Sequence, residues 1–323
     1  MTDPDAVRFL SDLARALGRA PAGVIGLAVS GGPDSMALLA LAHEALGGRV
    51  AVATVDHGLR PEAAGEAALV AERCAAFGVP HATLRPDAPI TGGSVQAQAR
   101  ERRYALLARW AGEQGLEAVA TAHHADDQAE TFLMRSARGS GLAGLAGVRA
   151  RAVIAGVTVV RPLLDWRRAE LRAIARRREM PFVDDPSNGD LRYDRARARR
   201  LLEEHEWLGP ANIARSAAYL AEADGDLRAT VDWLWAARAV VDGDDVRVDA
   251  AELPREVRRR LARRAVAVVR EAAGIAEPEF TDSTNVEALL DGLEGGKRVT
   301  QSGVLASVRD GRWRLRPAPP RKG

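Results

Sequence analysis

The stretch VIGLAVSGGPDSMALLALAHEAL, residues 24–46, joins a run of β-forming residues to an apolar helix through two glycines and a proline. Residues 24–30 have the composition of a buried strand, and from Met36 apolar residues recur at helical spacing. Ser30, Gly31, Gly32, Pro33, Asp34 and Ser35 therefore form the connecting turn. A strand, a glycine turn and a helix N-terminus make an anion site, where free backbone N–H groups and the positive end of the helix dipole converge. Pro33 suits a first helical turn, where its missing N–H costs nothing. Three readings fit this turn taken alone. It is an ordinary strand-to-helix connection, or a nucleophile elbow, since Ala28-Val29-Ser30-Gly31-Gly32 is one substitution from G-x-S-x-G, or a nucleotide triphosphate site. It is not a Walker A loop, which requires a lysine that is missing here.

A chain of 323 residues, 47% hydrophobic and 28% charged, has room for two domains with separate cores and the composition of an ordered globular protein. No apolar run approaches bilayer-spanning length, and the N-terminus MTDPDAVRFLSDLARALGRA mixes acids into an amphipathic helix without a signal-peptide core, so the expected location is the cytoplasm. The one cysteine, Cys74, cannot form an internal disulfide, a CxxC pair or a cysteine zinc site, and its setting AERCAAFG reads as a helix with a small core residue. Net charge is only +2, yet Lys297 and Lys322 are the sole lysines. Between Arg161 and Arg200 stand twelve arginines against seven acids. That region is either a nucleic-acid surface, for which the planar guanidinium is suited, or a solvated helix face.

Strands and helices alternate through residues 24–138: strands at 24–30, 50–55, 79–84 and 116–121, helices at 36–46, 62–77, 94–114 and 126–138. This is the rhythm of an α/β doubly wound parallel sheet, in which ligands bind beyond the carboxyl ends of the strands. The turns at 30–35, 56–60 and 122–127 should then face one crevice. The glycine-rich segment 138–148 is long enough to be a mobile lid. A strand over 153–160, a basic helix over 166–178 and a loop carrying FVDDPSNGDLRYDRARARR follow. Gly209-Pro210 breaks the pattern, which gives a catalytic domain over 1–208 and a small α+β domain over 209–316, with a flexible tail at 317–323. Within the second domain the pattern gives a long helix, a hairpin in AVVDGDDVRVDA, an arginine-rich helix over 254–273, a short helix near 285–293 and two strands about Asp310-Gly311.

ATAHHADDQAETFLMR, residues 120–135, is the densest polar cluster. On a helix Asp127, Glu130 and Thr131 share one face, with His124 a turn earlier. The two carboxylates suit a cation or an amine, and they equally suit a D-x-x-E capping box. Arg100, Arg103 and Tyr104 form one helical stripe, a pairing of side chains that fits either RNA phosphate and base or an exposed helix face.

SGGPDS resembles the pyrophosphate-binding loop of the N-type ATP pyrophosphatases. The collinear series SGGPDS, DHGLR, RERRY, TAHHADDQAETFLMR, ARGSGLAGLAG, RPLLDWRRAEL and DDPSN is similar to the bacterial tRNA(Ile)-lysidine synthases over about residues 24–200. The C-terminal region resembles that family's tRNA-contacting domain only loosely, and the chain's length predicts that the additional C-terminal domain of longer members is missing. One departure lies after DDPSN, where the family's R-N-x-[IL]-R element reads Arg195-Ala196-Arg197-Ala198-Arg199.

The resemblance implies a PP-loop, Rossmann-like fold and adenylation of carbon 2 of the wobble cytidine in tRNA(Ile) with a CAU anticodon. Displacement of AMP by free L-lysine then gives lysidine. It implies ATP as substrate, with Ser30, Gly31, Gly32, Pro33, Asp34 and Ser35 at its phosphates. Asp34 is expected at a Mg²⁺ ion, and Arg103 supplies positive charge in place of a loop lysine. An amine of ordinary pKa about 10.4 arrives protonated, so Asp127 and Glu130 are expected to bind it and take its proton, with His124 orienting it. Arg100, Arg195 and Arg199 are the expected tRNA contacts. No obligate protein partner is implied, and a homodimer is compatible with the resemblance. Thiolating relatives use catalytic thiols or a cysteine-bound cluster, so a single cysteine favours a nitrogen nucleophile. In the hydrolase alternative only His205 follows Ser30 remotely enough to be a late triad histidine, and a non-catalytic tRNA-binding protein is a third possibility.

Overall fold

The computed structural model describes residues 3–58, 62–88, 95–184, 194–281 and 284–319. Leu59, Arg60, Ser94, most of DDPSN and the last four residues lie outside that set. The chain divides into two compact units, Met1–Ala221 and Glu222–Gly323.

In the first unit the strands are β1 Ile25–Ala28, β2 Val50–Val55, β3 His81–Leu84, β4 Ala118–Thr121, β5 Arg151–Ile154 and β6 Val157–Val160. The helices are α1 Pro4–Leu17, α2 Pro33–Leu46, α3 Ala63–Phe77, α4 Val95–Glu113, α5 Ala125–Ser136, α6 Leu142–Leu145, α7 Arg168–Arg177 and α8 Asp194–Glu204. The sheet order is β3-β2-β1-β4-β6-β5, parallel except for β5, which runs antiparallel to β6 at the edge. β1 lies between β2 and β4, with Ile25 in register with both Val50 and Ala118. The chain winds outward to β3 and then returns to β4 on the other side of β1. The loops after β1 and β4 therefore diverge at the switch point, where open α/β sheets leave a crevice.

Packing explains the sequence of this unit. α2 is apolar around most of its circumference because it is buried on several sides, with Met36, Leu38, Leu39 and Leu41 sealed from solvent. In β1, a Cβ on Gly26 would stand 2.7 Å from Leu116 Cδ1 and 2.8 Å from the Trp110 ring, so only glycine fits. Trp166 is fully buried and its indole N–H donates to Asp12 Oδ2 at 2.8 Å, which ties the chain after β6 to α1.

Several expectations need correction. The strand expected over 153–160 is a hairpin: Ala155 (φ 50°) and Gly156 (φ 83°) make the tight turn between β5 and β6. Helix α7 is shorter than the span 166–178 because Trp166 is spent in the core. The loop expected to run through Arg200 is helical from Asp194 onward. The glycine-rich segment is pinned down: Arg135 Nη1 donates to Gly144 O at 2.7 Å, and the Gln128 amide pairs with both polar groups of Val148, at 2.8 and 2.7 Å. It contains α6, and its fixed hydrogen bonds do not favour a lid.

Gly209-Pro210 starts a helix instead of ending a domain. Proline is tolerated in a first turn, and α9 runs from Pro210 to Arg238, so the division between units falls inside it. The second unit carries β7 Ala239–Asp242, β8 Asp245–Val248, α10 Arg255–Ala272, α11 Glu287–Glu294, β9 Val299–Gln301, β10 Val304–Arg309 and β11 Arg312–Pro317. Its sheet, in order β7-β8-β11-β10-β9, is antiparallel, and its core joins Val246, Val248 and Leu315 to Leu261, Val266 and Leu290. Asp310 (φ 50°) and Gly311 (φ 74°) turn β10 into β11 as the sequence predicts. Residues 317 and 318, placed in the expected tail, are held in place: Pro317 ends β11, and the Ala318 N–H donates to Gly303 O at 2.8 Å.

Candidate functional site

The turn after β1 is built by its own side chains. Gly31 takes φ +86°, and a Cβ there would lie 3.4 Å from Glu66 Cβ and its carbonyl oxygen. Ser35 Oγ donates to Gly32 O at 2.9 Å and accepts from the Ser30 N–H at 3.1 Å, which folds the turn back on α2. Since the Ser35 hydrogen is used, Ser30 Oγ, 3.3 Å away, donates to Ser35 Oγ. The Val183 N–H fixes the Gly31 carbonyl from outside at 3.0 Å. Pro33 and Asp34 occupy the first turn of α2, whose leading N–H groups have no intrahelical acceptor and face an anion site.

A cleft of about 550 Å³ opens here. Its walls are the 30–35 turn, Thr121, Ala122, His123 and Asp127 after β4, Arg103 and Tyr104 on α4, Arg168 and Arg172 on α7, and Arg195 and Arg199 on α8. The 30–35 and 122–127 turns thus meet in it. In the described part of the 56–60 turn, Asp56 is engaged by the Gly58 N–H at 2.9 Å and by Arg85 Nε at 3.0 Å.

His124 links the two turns. It is the N-cap of α5: its Nδ1 accepts from the Asp127 N–H at 3.3 Å, and the Asp127 carboxylate accepts from the His124 N–H at 3.1 Å. An accepting Nδ1 puts the ring hydrogen on Nε2, which lies 3.4 Å from Asp34 Oδ2 and 3.5 Å from Asp127 Oδ2. Burial disfavours the charged ring, but the bond to Asp34 and the charges of Asp127 and Asp34 outweigh it, so the His124 pKa is raised. The neighbouring His123, held by Thr121 Oγ1 at 2.8 Å, is pushed down to about 4 by burial and is neutral near pH 7. Burial also opposes the charge on Asp127, but His124 and Arg195 overcome it and hold the carboxyl below its ordinary pKa. Asp34 Oδ1 is buried without a hydrogen-bond partner among the described residues.

Glu130 is not in the cleft wall. Its side chain is 1% exposed, and both oxygens are taken: Oε2 by Arg195 Nε at 2.8 Å and Oε1 by Arg199 Nε at 2.8 Å, with Arg168 Nη2 at 3.9 Å. The same contacts pair Glu130, expected at the amine, with Arg195 and Arg199, expected at tRNA. Arg195 and Arg199 are one turn apart on α8, so both face α5, and Arg195 Nη2 also reaches Asp127 Oδ1 at 3.2 Å. Arg103 lines the cleft with no carboxylate partner among the described residues. Arg100 is exposed beyond it, with its guanidinium 5.2 Å from the centre of the Tyr104 ring.

Sequence reasoning missed Asp126, Arg168 and Arg172. Asp126 clamps the start of α7 by pairing both oxygens with Arg167 at 3.1 Å and accepting from the Arg168 N–H at 2.8 Å. The signal was present in WRRAELR, where Arg168 and Arg172 lie one turn apart, but only the clamp shows which way they point. The hydrolase alternative loses support: Ser30 pairs with Ser35, and His205 lies beyond α8, stacked 6.4 Å from Trp207. Cys74 is fully buried and its thiol is pushed up to about 11.

A PP-loop domain profile matches residues 6–206. A tRNA(Ile)-lysidine synthase of Novosphingobium aromaticivorans is 45% identical over 303 residues, covering 93% of this chain and 90% of that protein. The chain belongs to the tRNA(Ile)-lysidine synthase family. The likeness extends through both units: the synthase of Methylobacterium nodulans is 41% identical over 338 residues, covering 98% of this chain and 97% of its own length. Among solved structures, the U34-tRNA thiolase NcsA from Methanococcus maripaludis with its [4Fe-4S] cluster superposes with a TM-score of 0.55 over 68% of this chain and 79% of that one. At 18% identity that is a likeness of fold. Among the described residues no helix is long and apolar enough to cross a membrane.

Proposed function

We propose that this chain joins free L-lysine to carbon 2 of the wobble cytidine in a tRNA(Ile) with a CAU anticodon, using ATP to activate that carbon. The carrying observation is that the 30–35 turn and the Asp127 carboxylate share one arginine-lined cleft, in a chain whose curated relatives are named for this product.

In the first step the cytosine O2 attacks the α-phosphorus and pyrophosphate leaves. Gly31, Gly32 and the leading N–H groups of α2 cradle the departing phosphates, and Arg103, free of any carboxylate among the described residues, neutralises charge that a loop lysine would otherwise meet. Arg168 and Arg172 add to that field from α7. The orphaned, buried Asp34 Oδ1 fits a Mg²⁺ ion, which takes one or two protein carboxylates and completes its shell with phosphate and water. Such an ion supplies charge neutralisation.

In the second step the lysine ammonium gives up a proton to solvent, the free amine attacks carbon 2, and AMP leaves with O2. Asp127 holds and orients the incoming ammonium. Its lowered pKa keeps it ionised and makes it a weak base, so binding is its main task. Glu130 supports this indirectly, by fixing Arg195 and Arg199. A single buried cysteine offers neither a cluster nor a thiol nucleophile, which favours nitrogen over sulfur. Exposed Arg100 remains the tRNA phosphate contact of this reading.

The test is incubation with ATP, Mg²⁺, labelled lysine and bulk tRNA. Stable label in tRNA with stoichiometric AMP is the expected result. AMP formation without label, or neither, overturns the assignment.

A further inference from the structure

We infer that Arg195 is a positioning residue that covers the amine site until phosphates in the cleft draw it away, so that lysine binds only after ATP. The inference rests on Asp127 being the ammonium partner proposed above.

Asp127 has one oxygen to offer. Oδ2 accepts from the His124 N–H at 3.1 Å, and Oδ1 is covered by Arg195 Nη2 at 3.2 Å. A guanidinium and an ammonium cannot both occupy that position, and Arg195 and Arg199 already balance the charges of Asp127 and Glu130.

The two arginines are not equivalent. Arg199 has an 18% exposed side chain, and it and Arg168 both approach Glu130 Oε1, so Glu130 keeps cationic partners if Arg195 departs. Arg195 has a 47% exposed side chain and lies in the first turn of α8. Its departure uncovers Asp127 and leaves Glu130 paired through Oε1 with Arg199. A destination also exists: Arg195 lines the same cleft as the 30–35 turn, where a triphosphate arrives with no loop lysine to meet it. Guanidinium pairs with phosphate in the same forked geometry as with carboxylate. ATP therefore competes with Asp127 for Arg195, and lysine affinity scales with the fraction of molecules in which ATP has won.

The experiment is equilibrium dialysis of labelled L-lysine against the full chain, alone and with Mg²⁺ and α,β-methylene-ATP, whose α–β bridge cannot be cleaved. For the unaltered chain lysine affinity should rise at least about tenfold with the analogue, and in Arg195→Gln it should be high without the analogue and change by less than about threefold. Analogue binding with no gain in lysine affinity overturns the proposal, as does an unchanged analogue dependence in folded Arg195→Gln. The first comparison needs no variant, so it stands even if Arg195→Gln fails to fold. Asp127→Asn separates the premise from the gate. Full lysine binding by Asp127→Asn refutes the ammonium assignment itself, whereas lost binding there with an analogue-indifferent unaltered chain refutes only the gate.

Discussion

His124 Nε2 lies 3.4 Å from Asp34 Oδ2, so the residue that caps α5 touches the first turn of α2. The two turns are far apart in sequence but leave adjacent parallel strands, β1 and β4, with Ala28 in register with Thr121. The two turns that line the cleft are in direct contact through this pair.

Asp34→Ala should abolish AMP formation while leaving tRNA affinity within about twofold, because the residue faces the phosphate turn and not an RNA surface. Single-turnover AMP release and a filter-binding titration read the two effects separately. Ordinary AMP release in the folded variant would remove Asp34 from the chemistry.

Asp127 and Glu130 should part company. Asp127→Asn is expected to keep most adenylation and lose lysine transfer. Glu130→Ala leaves two arginines without their buried partner, which costs about 3–5 kcal/mol of stability, so thermal denaturation should show the loss and both half-reactions should fall together. A Glu130→Ala protein of unchanged stability would contradict the buried clamp.

Arg103→Ala should lower the rate of adenylation by about 10²–10³, the range seen on removing a charge-stabilising donor, with little change in lysine affinity. Rapid-quench measurement of the adenylate is the check. A full-rate variant would assign charge neutralisation to Arg168 and Arg172 instead.

Salt dependence separates the arginines. If Arg100 contacts a tRNA phosphate, Arg100→Ala should flatten the slope of log K against log salt by about 0.7–0.9. Arg199→Ala should leave the slope unchanged and lower the melting temperature, since that guanidinium is committed to Glu130. The opposite pattern would restore α8 as an RNA surface.

The Cys74 thiol, pushed up to about 11 by burial from the ordinary value of 9.0, makes stability depend on alkaline pH. The unfolded thiol ionises first and releases its proton, so the stabilisation is complete below about pH 9 and is lost as pH rises toward 11. Cys74→Ala should therefore lose less stability than the unaltered chain across that window in denaturant titrations, and should keep its lysine transfer activity. Equal losses would mean the thiol is not held neutral by the fold.

The sequence alone determined the alternation of strands and helices, the glycine turn before α2 and the hairpin at Asp310-Gly311. These depend on local backbone preferences and apolar periodicity, which act within a few residues. It also brought Asp34 and Asp127 forward as site residues, because their motifs sit where strands end, and Arg103 through a helical stripe and the family resemblance. It did not distinguish Asp127 from Glu130. Both stand on one face of α5, but Glu130 lies one turn deeper, where α8 covers it with Arg195 and Arg199. The packing of α8 on α5 decided which carboxylate keeps access to the cleft. That contact joins residues 65 positions apart, and no local pattern encodes which side of a buried helix a distant one will cover. For the same reason an arginine cluster that resembled an RNA surface became the clamp on a glutamate: burial sets the direction of a side chain, and burial is settled only when the chain has closed on itself.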